Sequence, residues 1–371
     1  MSRNQIKIAY LCGSRSWGGL EMNQFKNALW MKERGHRVVV FGLEGSPFIT
    51  AAQESGLESD DIEQHRKYYD FSKGKALARL LAKNAVTHLI VRDNRDLSTA
   101  VIAKRFSSQK IHLSYFMEMQ LGVKKKSIFH TLRYRNLDVW SCPLNWLKDQ
   151  VLTMTYMPKN RIRVIHSGVE LNRFKMLPDM STAREKLRLP QDALLVGLIG
   201  RFDVHKGQHV LINALRLIQN KNVHVCLLGE STRGESTDYE QNMHTLIHDF
   251  NLTSRVHIRP FTNQIETFYA AMDLIVMATQ SETVGMVTIE AMACGKQIIA
   301  TNTGGSPELL NFGELGKLVE PSNPQALANE IEEFANGHWK IDPSQLLSRA
   351  ADFDNQTVCT VVEQALNLNE W

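Results

Sequence analysis

Two glutamates in the second half of the chain could act together on one ligand. Glu282 lies in a polar loop after the apolar run 274–277, and Glu290 lies eight residues further on, in a helical run. A loop carboxylate and a helix carboxylate at this spacing can face one pocket at the carboxyl end of a parallel sheet, where ligands bind in open α/β folds. Either residue alone is weak support, because acidic side chains near helix starts also complement the helix dipole.

Two cations follow another apolar run of the same half. Arg201 and Lys206 come directly after the predicted strand 194–200, and a helical run begins after Gly207. Two cations at a strand end, beside the start of a helix, can bind a diphosphate. The alternative is that they are surface basic residues around a turn.

A glycine loop near the amino terminus could also bind phosphate. A predicted strand, 6–12, is followed by Gly13, Gly18 and Gly19 and then by a helix from about residue 20. Glycines let the backbone approach a ligand closely, and a helix amino terminus attracts phosphate. The dinucleotide motif G-x-G-x-x-G is absent, and an ordinary turn that caps a helix is the alternative.

The elements that would position these residues alternate between apolar strands and helices in both halves, which is typical of parallel α/β sheets. A chain of 371 residues exceeds one ordinary core. We therefore predict two Rossmann-like domains, 1–172 and 173–350, and a carboxyl-terminal helix, 351–371, that returns to the first domain.

Composition favours an ordinary soluble protein. Hydrophobic residues make up 43% and charged residues 22% of the chain. The five cysteines are far apart and form no C-x-x-C, which argues against disulfides or zinc and for a reducing cytoplasm. No apolar run approaches the ~20 residues of a membrane span, and the first run is too short for a signal peptide.

Charged residues are distributed unevenly along the chain. Residues 1–180 contain 29 Lys and Arg against 16 Asp and Glu, so the remainder of the chain is acidic. A basic half suggests an anionic surface or substrate, and no motif supports nucleic acid. Lys124 to Arg135 combines three lysines with Ile128, Phe129 and Leu132 at helical spacing. Such a helix could lie on an anionic bilayer, or its apolar side could face the core.

The glutamate segment closely resembles the donor-binding motif of retaining GT-B glycosyltransferases, glycosyltransferase family 4 in particular. Thr283, Val284 and Gln297 depart from that motif. Gly200-Arg201 and Lys206-Gly207 match the family's G-R-x-x-x-x-K-G, and Gly18 to Glu21 resembles its G-G-x-E. The positions of the glutamate segment that match are Glu282, Gly285, Glu290, Ala291, Met292, Ala293, Gly295, Ile299, Ala300, Gly304, Gly305, Pro307 and Glu308.

The resemblance implies two Rossmann-like domains facing a central cleft, and sugar transfer with retention and without a metal. Arg201, Lys206 and Glu282 would be catalytic, the two cations stabilising the leaving diphosphate. Glu290 would bind the ribose, and the Gly18-Gly19 loop would bind the diphosphate. Thr283, Gly285, Met286 and Val287 would hold the sugar, and the loop of Phe261 would hold the base.

The resemblance also implies a donor and an acceptor. A UDP-sugar is favoured and a GDP-sugar is next, with no cofactor. The acceptor would be a glycan or a lipid-linked glycan in cell-surface polysaccharide assembly, such as lipopolysaccharide, made in the cytoplasm or at the inner face of the membrane. Glu21, Asp93 and Glu118 are acceptor-side candidates, although relatives carry a His-Asp pair where this chain has Met117-Glu118.

Two other classes of protein stay open at this stage. One is a non-catalytic protein that binds a nucleotide-sugar or a glycan on the same fold. The other is an NAD-dependent oxidoreductase, which the strand-helix-strand opening permits and the missing glycine motif disfavours.

Overall fold

The structure is a computed structural model that describes residues 6–231 and 238–368. Contacts divide the chain into two compact units. The first comprises 1–168 together with 355–371, and the second comprises 169–354. The division falls between Gly168 and Val169 and between Asp354 and Asn355, a few residues from the boundaries expected at 172 and 350.

The first unit contains a seven-stranded parallel sheet in the order β3-β2-β1-β4-β5-β6-β7. Its strands are β1 Lys7–Cys12, β2 Arg37–Leu43, β3 Glu58–Ile62, β4 His88–Val91, β5 His112–Phe116, β6 Val139–Cys142 and β7 Ile162–Val164. Its helices up to the division are α1 Gly19–Glu33, α2 Pro47–Glu54, α3 Phe71–Lys83, α4 Leu97–Phe106, α5 Ile128–Tyr134 and α6 Asn145–Met154.

The second unit contains a six-stranded parallel sheet in the order β10-β9-β8-β11-β12-β13. Its strands are β8 Leu194–Ile199, β9 Val223–Leu228, β10 Val256–Arg259, β11 Leu274–Met277, β12 Gln297–Thr301 and β13 Lys317–Val319. Its helices are α7 Met180–Lys186, α8 Gln208–Leu217, α9 Asp238–Asp249, α10 Ile265–Ala271, α11 Met286–Ala293, α12 Ser306–Leu309, α13 Pro324–Ala335 and α14 Pro343–Ala350.

Burial on both faces explains the continuous apolar runs of the central strands. Every residue of β1 is buried, and its alternate side chains enter two separate apolar clusters, one on each side of the sheet. Parallel sheets covered by helices on both faces have this pattern. β3 is different, because it is a polar strand at the edge of the sheet. Its sequence contains no apolar run from which a strand could be predicted.

Each sheet reverses its strand order at one point. In the first sheet the reversal lies between β1 and β4, and in the second it lies between β8 and β11. Loops that leave the carboxyl ends of two such strands diverge to opposite faces, which opens a crevice for ligands. The glycine loop and the Arg201/Lys206 loop therefore both begin at a reversal point.

The final helix, α15 Asn355–Ala365, packs in the first unit, where Val358, Cys359 and Val362 enter an apolar cluster beside β1. Glu363 fastens it. Its carboxylate accepts hydrogen bonds from Arg34 Nε at 2.9 Å and Nη2 at 2.7 Å, and it lies 2.8 Å from His36 Nε2. Arg34 is the main reason that the pKa of Glu363 falls from 4.5 to about 2.

No helix within residues 6–231 and 238–368 is long and apolar enough to cross a membrane.

We predict that Glu363→Gln destabilises the protein at neutral pH by about 1.5–3 kcal/mol, the range for hydrogen bonds to charged groups. Because folding lowers the pKa of Glu363, its stabilisation is complete above pH 4.5 and is lost as the pH falls to about 2. Urea unfolding at several pH values should therefore show the gap between wild type and variant closing over that interval. Glu54→Gln, at an exposed position of α2, is the control, and an equal effect of both variants would contradict the prediction.

Candidate functional site

A lysine and a glutamate meet at the strand reversal of the second sheet. Lys206 follows β8 and Glu282 follows β11, and Lys206 Nζ donates to Glu282 Oε2 at 3.0 Å. The side chains are 36% and 17% exposed, so the pair is open to a ligand. A pair this exposed contributes only about 0.2–1 kcal/mol to stability, which indicates that its role is to position charge rather than to hold the fold.

The backbones of these two loops are fixed to each other. His205 carbonyl oxygen accepts hydrogen bonds from Gln280 N and from Thr279 Oγ1, both at 2.9 Å. Gly207 has φ +76°, and a Cβ atom there would lie 2.0 Å from the carbonyl oxygen of Ala278. Only glycine allows this approach, so the glycine after Lys206 is what brings the lysine loop against the glutamate loop.

A second close backbone approach fixes Glu282 itself. Its carbonyl oxygen accepts a hydrogen bond from Gly305 N at 3.2 Å. Gly304, at φ +58°, lies so near that a Cβ atom would be 1.6 Å from the same oxygen. The loop after β12 therefore packs against the backbone of Glu282. The paired glycines of the motif leave room for this contact.

Arg201 lies on the lysine loop and is half exposed. Its Nη2 donates to Asp203 Oδ2 at 2.7 Å, and Asp203 Oδ1 accepts from His205 N at 2.8 Å. The His205 amide, followed by Arg201, lowers the pKa of Asp203. Asp203 thus orients Arg201, a role that the sequence analysis missed.

Glu290, on α11, accepts a hydrogen bond from Tyr269 Oη at 2.8 Å. Tyr269 is fully buried on α10, and burial, together with Glu290, raises its pKa well above the ordinary value. It therefore remains a neutral donor that fixes the Glu290 carboxylate. Sequence reasoning missed Tyr269 because nothing in the chain connects it with a residue on another helix.

The other predicted donor residues lie around the amino end of α11. Gly285 directly precedes the helix, Met286 and Val287 form its first turn, and Thr283 is half-buried in the loop before it. The first amides of a helix have no carbonyl partner within it, so they can bind ligand oxygens. Phe261 lies between β10 and α10, with its side chain 67% exposed.

In the first unit, the glycine loop precedes α1. Gly18 is the residue before the helix, and Gly19 is its first residue. Glu21 is buried, and its Oε2 accepts a hydrogen bond from Gly18 N at 3.0 Å. Glu21 therefore stabilises the glycine loop, a structural use alongside the acceptor-side role predicted for it.

The other acceptor-side candidates each contact an arginine. Asp93 accepts from Arg95 N and Nε, both at 2.7 Å. Glu118 forms a buried ion pair with Arg92 and accepts from Ser167 Oγ at 3.3 Å. Burial raises the pKa of Glu118, and Arg92 opposes that rise.

A buried histidine-aspartate pair supports the glycine loop from below. His65 Nε2 lies 2.9 Å from Asp96 Oδ1, and Asp96 Oδ2 accepts from Gly13 N at 2.8 Å. Burial alone would lower the pKa of His65, but Asp96 and the backbone of Glu63 outweigh it, so the pKa is raised. The sequence analysis missed this pair because His65 reaches the site from a loop beside the edge strand.

Within the described residues, no three His, Cys, Asp or Glu side chains lie close enough together to hold a metal ion. The resemblance implies transfer without a metal, and this stays a prediction.

Two parallel-sheet Rossmann-like units, with charged loops at the strand reversal of each, are the architecture of the GT-B fold. The comparisons agree at the level of family. Residues 179–350, which lie within the second unit, match the family described as glycosyl transferases group 1. The recognition made from the motifs is thereby confirmed at the level of group 1.

Among proteins of known name, the chain is similar to the lipopolysaccharide core biosynthesis glycosyltransferase LpsE of Rhizobium meliloti (strain 1021). Identity is 27% over 283 residues, which is 76% of each chain. It is also 30% identical over 206 residues to the D-inositol 3-phosphate glycosyltransferase of Mycolicibacterium gilvum (strain PYR-GCK). That match covers 55% of this chain and 45% of the relative.

Among solved structures, the chain resembles Anabaena Alr3699/HepE in complex with UDP. The TM-score is 0.85 at 24% identity, and the match covers 98% of this chain and 100% of the other. The complex of the same protein with UDP-glucose gives 0.79 at 23% identity, covering 98% and 99%. At such identity the likeness shows the fold alone, and it confirms the predicted GT-B fold.

We predict that Gly304→Ala displaces Glu282, because the new methyl group would overlap its carbonyl oxygen. The control is Gly337→Ala, at φ +75°, where a Cβ atom meets nothing within 4 Å. Both variants carry the cost of the left-handed backbone, so only Gly304→Ala should lose a further ~1–3 kcal/mol from overpacking. Urea unfolding measures the difference, and equal losses would show that the two loops do not depend on this contact.

Proposed function

We propose that the protein is a retaining, metal-independent hexosyltransferase that moves a sugar from a nucleoside diphosphate sugar to a glycan or lipid-linked acceptor. The observation that carries this proposal is the Lys206–Glu282 pair at the strand reversal of the group 1 domain, beside Arg201 and the first turn of α11. Together these groups offer two cations and helix amides to an anionic leaving group, and a carboxylate to sugar hydroxyls.

The chemistry explains why cations are needed there. In the transfer, the bond between the anomeric carbon and the diphosphate oxygen breaks, and a bond to the acceptor oxygen forms on the same face. The acceptor proton passes to the departing diphosphate, so no protein base is assigned. Negative charge grows on the diphosphate as it leaves, and Lys206, Arg201 and helix amides stabilise that charge without a metal.

The contacts of Glu282 and Glu290 fit different parts of the donor. Glu282 holds Lys206 in place and is exposed enough to accept a hydrogen bond from the sugar. Glu290, fixed by Tyr269, would accept the ribose hydroxyls. A UDP-sugar is favoured and a GDP-sugar is next. The structures of HepE in complex with UDP and with UDP-glucose support the uridine base.

The setting that we propose is cell-surface polysaccharide assembly, in the cytoplasm at the inner face of the membrane. The name of the LpsE relative, a lipopolysaccharide core glycosyltransferase, supports this setting. The net charge of residues 1–180 supports it as well, because intermediates of such assembly commonly carry phosphate or carboxylate groups.

We predict that UDP raises the melting temperature, and that ADP, TDP and NAD do so far less. A ligand at 100 times its Kd adds about 2.7 kcal/mol to the free energy of unfolding. Lys206→Ala should remove most of this stabilisation and lower UDP-sugar turnover about 10²–10³-fold, while costing the apo protein less than about 1 kcal/mol.

Lys221→Ala, at an exposed lysine of the same unit, is the matched control and should behave like wild type. Stabilisation by NAD alone would favour an oxidoreductase. UDP-sugar binding without hydrolysis or transfer would favour a non-catalytic binding protein. Normal turnover in Lys206→Ala would remove that residue from the mechanism.

A membrane surface is the second partner that we propose. Lys124, Lys125 and Lys126 precede α5, whose Ile128 and Phe129 are 69% and 63% exposed. The alternative that the apolar side of this helix faces the core therefore fails for these two residues. Exposed apolar side chains beside a run of lysines suit the interface of an anionic bilayer.

We predict that replacing all three lysines with glutamine lowers binding to anionic vesicles on the order of 100-fold, since each lysine near such a surface contributes about 1 kcal/mol. Sedimentation at low salt measures binding, with Lys221→Gln and uncharged vesicles as controls. Binding that survives the triple substitution, or that uncharged vesicles reproduce, would exclude this segment as the membrane contact.

A further inference from the structure

An apolar cavity of about 180 Å³ lies in the first unit, between α3, α4, α5 and the segment that precedes α3. Neither the donor site nor the predicted acceptor-side residues line it. Its apolar wall is formed by Tyr68, Tyr69, Phe71, Ile102, Phe129 and Leu132.

The orientation of α5 makes this wall available. The residues of α5 that are buried are Arg133 and Tyr134, whereas Phe129 and Leu132 are 63% and 54% exposed. Opposite them, Phe71 is 53% exposed. Contiguous exposed apolar side chains are rare on a protein surface and mark sites where another apolar group binds.

The cavity also has a cationic side. Arg133 is only 7% exposed and lies between the rings of Tyr68 and Tyr134, 5.3 and 4.9 Å from their centroids. Its Nε is buried and has no hydrogen-bond partner among the described residues. Arg105 lines the rim, and no acidic side chain is among the described residues of the lining. A group with an apolar chain and an anionic head complements such a site.

Arg133 connects the cavity with the predicted acceptor side. It donates to Asn94 Oδ1 at 3.1 Å and to Ser98 Oγ at 3.3 Å. Asn94 lies in the loop after β4 that also holds Asp93, and Ser98 lies in the first turn of α4. A ligand in the cavity would therefore lie beside the loop from which the acceptor glycan would be held.

We propose that this cavity binds the apolar chain of a lipid-linked acceptor, with Arg105 and Arg133 as partners of the phosphate that joins the chain to the glycan. The inference rests on the proposed function, because it names the acceptor class of that reaction. This binding differs from adsorption of α5 to a bilayer, because here the apolar chain of one lipid molecule leaves the bilayer and enters the cavity.

Calorimetric titration of the full chain with alkyl phosphates, kept below their micelle concentrations, tests the proposal. Decyl phosphate should bind about tenfold more tightly than octyl phosphate, since two more methylenes are buried. Inorganic phosphate and octyl glucoside should each bind at least tenfold more weakly than octyl phosphate. Phe129→Asp should weaken decyl phosphate at least tenfold, whereas Phe312→Asp, at a phenylalanine 77% exposed in the second unit, should not.

Arg105→Gln should weaken octyl phosphate more than octyl glucoside, and Arg79→Gln, at an exposed arginine of α3, should change neither. An affinity that does not depend on chain length, or that Phe129→Asp leaves unchanged, would overturn the proposal. Loss of vesicle binding without loss of decyl phosphate binding in Phe129→Asp would overturn it too, because the residue would then serve only adsorption.

The same preparations are tested with UDP, so the two failures can be told apart. Stabilisation by UDP without binding of alkyl phosphate contradicts this inference and leaves the proposed function standing. Binding of alkyl phosphate without stabilisation by UDP contradicts the proposed function. It would also contradict the assignment of the bound apolar chain to an acceptor lipid.

Discussion

The proposed donor site depends on two close backbone contacts near the strand reversal of the second sheet. Gly207 lies against the carbonyl oxygen of Ala278, and Gly304 lies against that of Glu282, at distances that leave no room for a side chain. These contacts bring Lys206 to Glu282 and hold Glu282 above the loop after β12. A substitution that separates the loops would disperse the charges, even though it removes none of them.

Cations at both strand reversals are held by carboxylates. In the second unit Glu282 holds Lys206 and Asp203 holds Arg201, and in the first unit Glu118 contacts Arg92. Carboxylate partners fix the direction of flexible cationic side chains, which reduces the conformational entropy that a ligand must remove on binding. The buried pair of His65 and Asp96 serves a related purpose, because it holds the backbone of the glycine loop rather than a cation.

The first unit adds a surface of a different kind. The lysines before α5 and the exposed apolar side chains of that helix adjoin a cavity with apolar and cationic sides. In an ordinary surface helix the apolar side chains face inward. Here Arg133 and Tyr134 are the buried side chains of α5, and Arg133 is stabilised by two aromatic rings and hydrogen bonds, so the apolar side chains of the helix remain exposed.

The sequence by itself determined the class of fold and the candidate residues of the proposed donor site. Buried parallel strands leave continuous apolar runs, and the loops after them carry Arg201, Lys206, Glu282 and Glu290 at motif spacing. Only the tertiary structure decided which side chains meet these residues. Tyr269 and His65 could not be assigned from spacing, because contacts between elements depend on strand order and on loop paths. The direction of α5 was likewise undecided, since helical periodicity shows which residues share a face, whereas packing against neighbouring elements determines which face is buried.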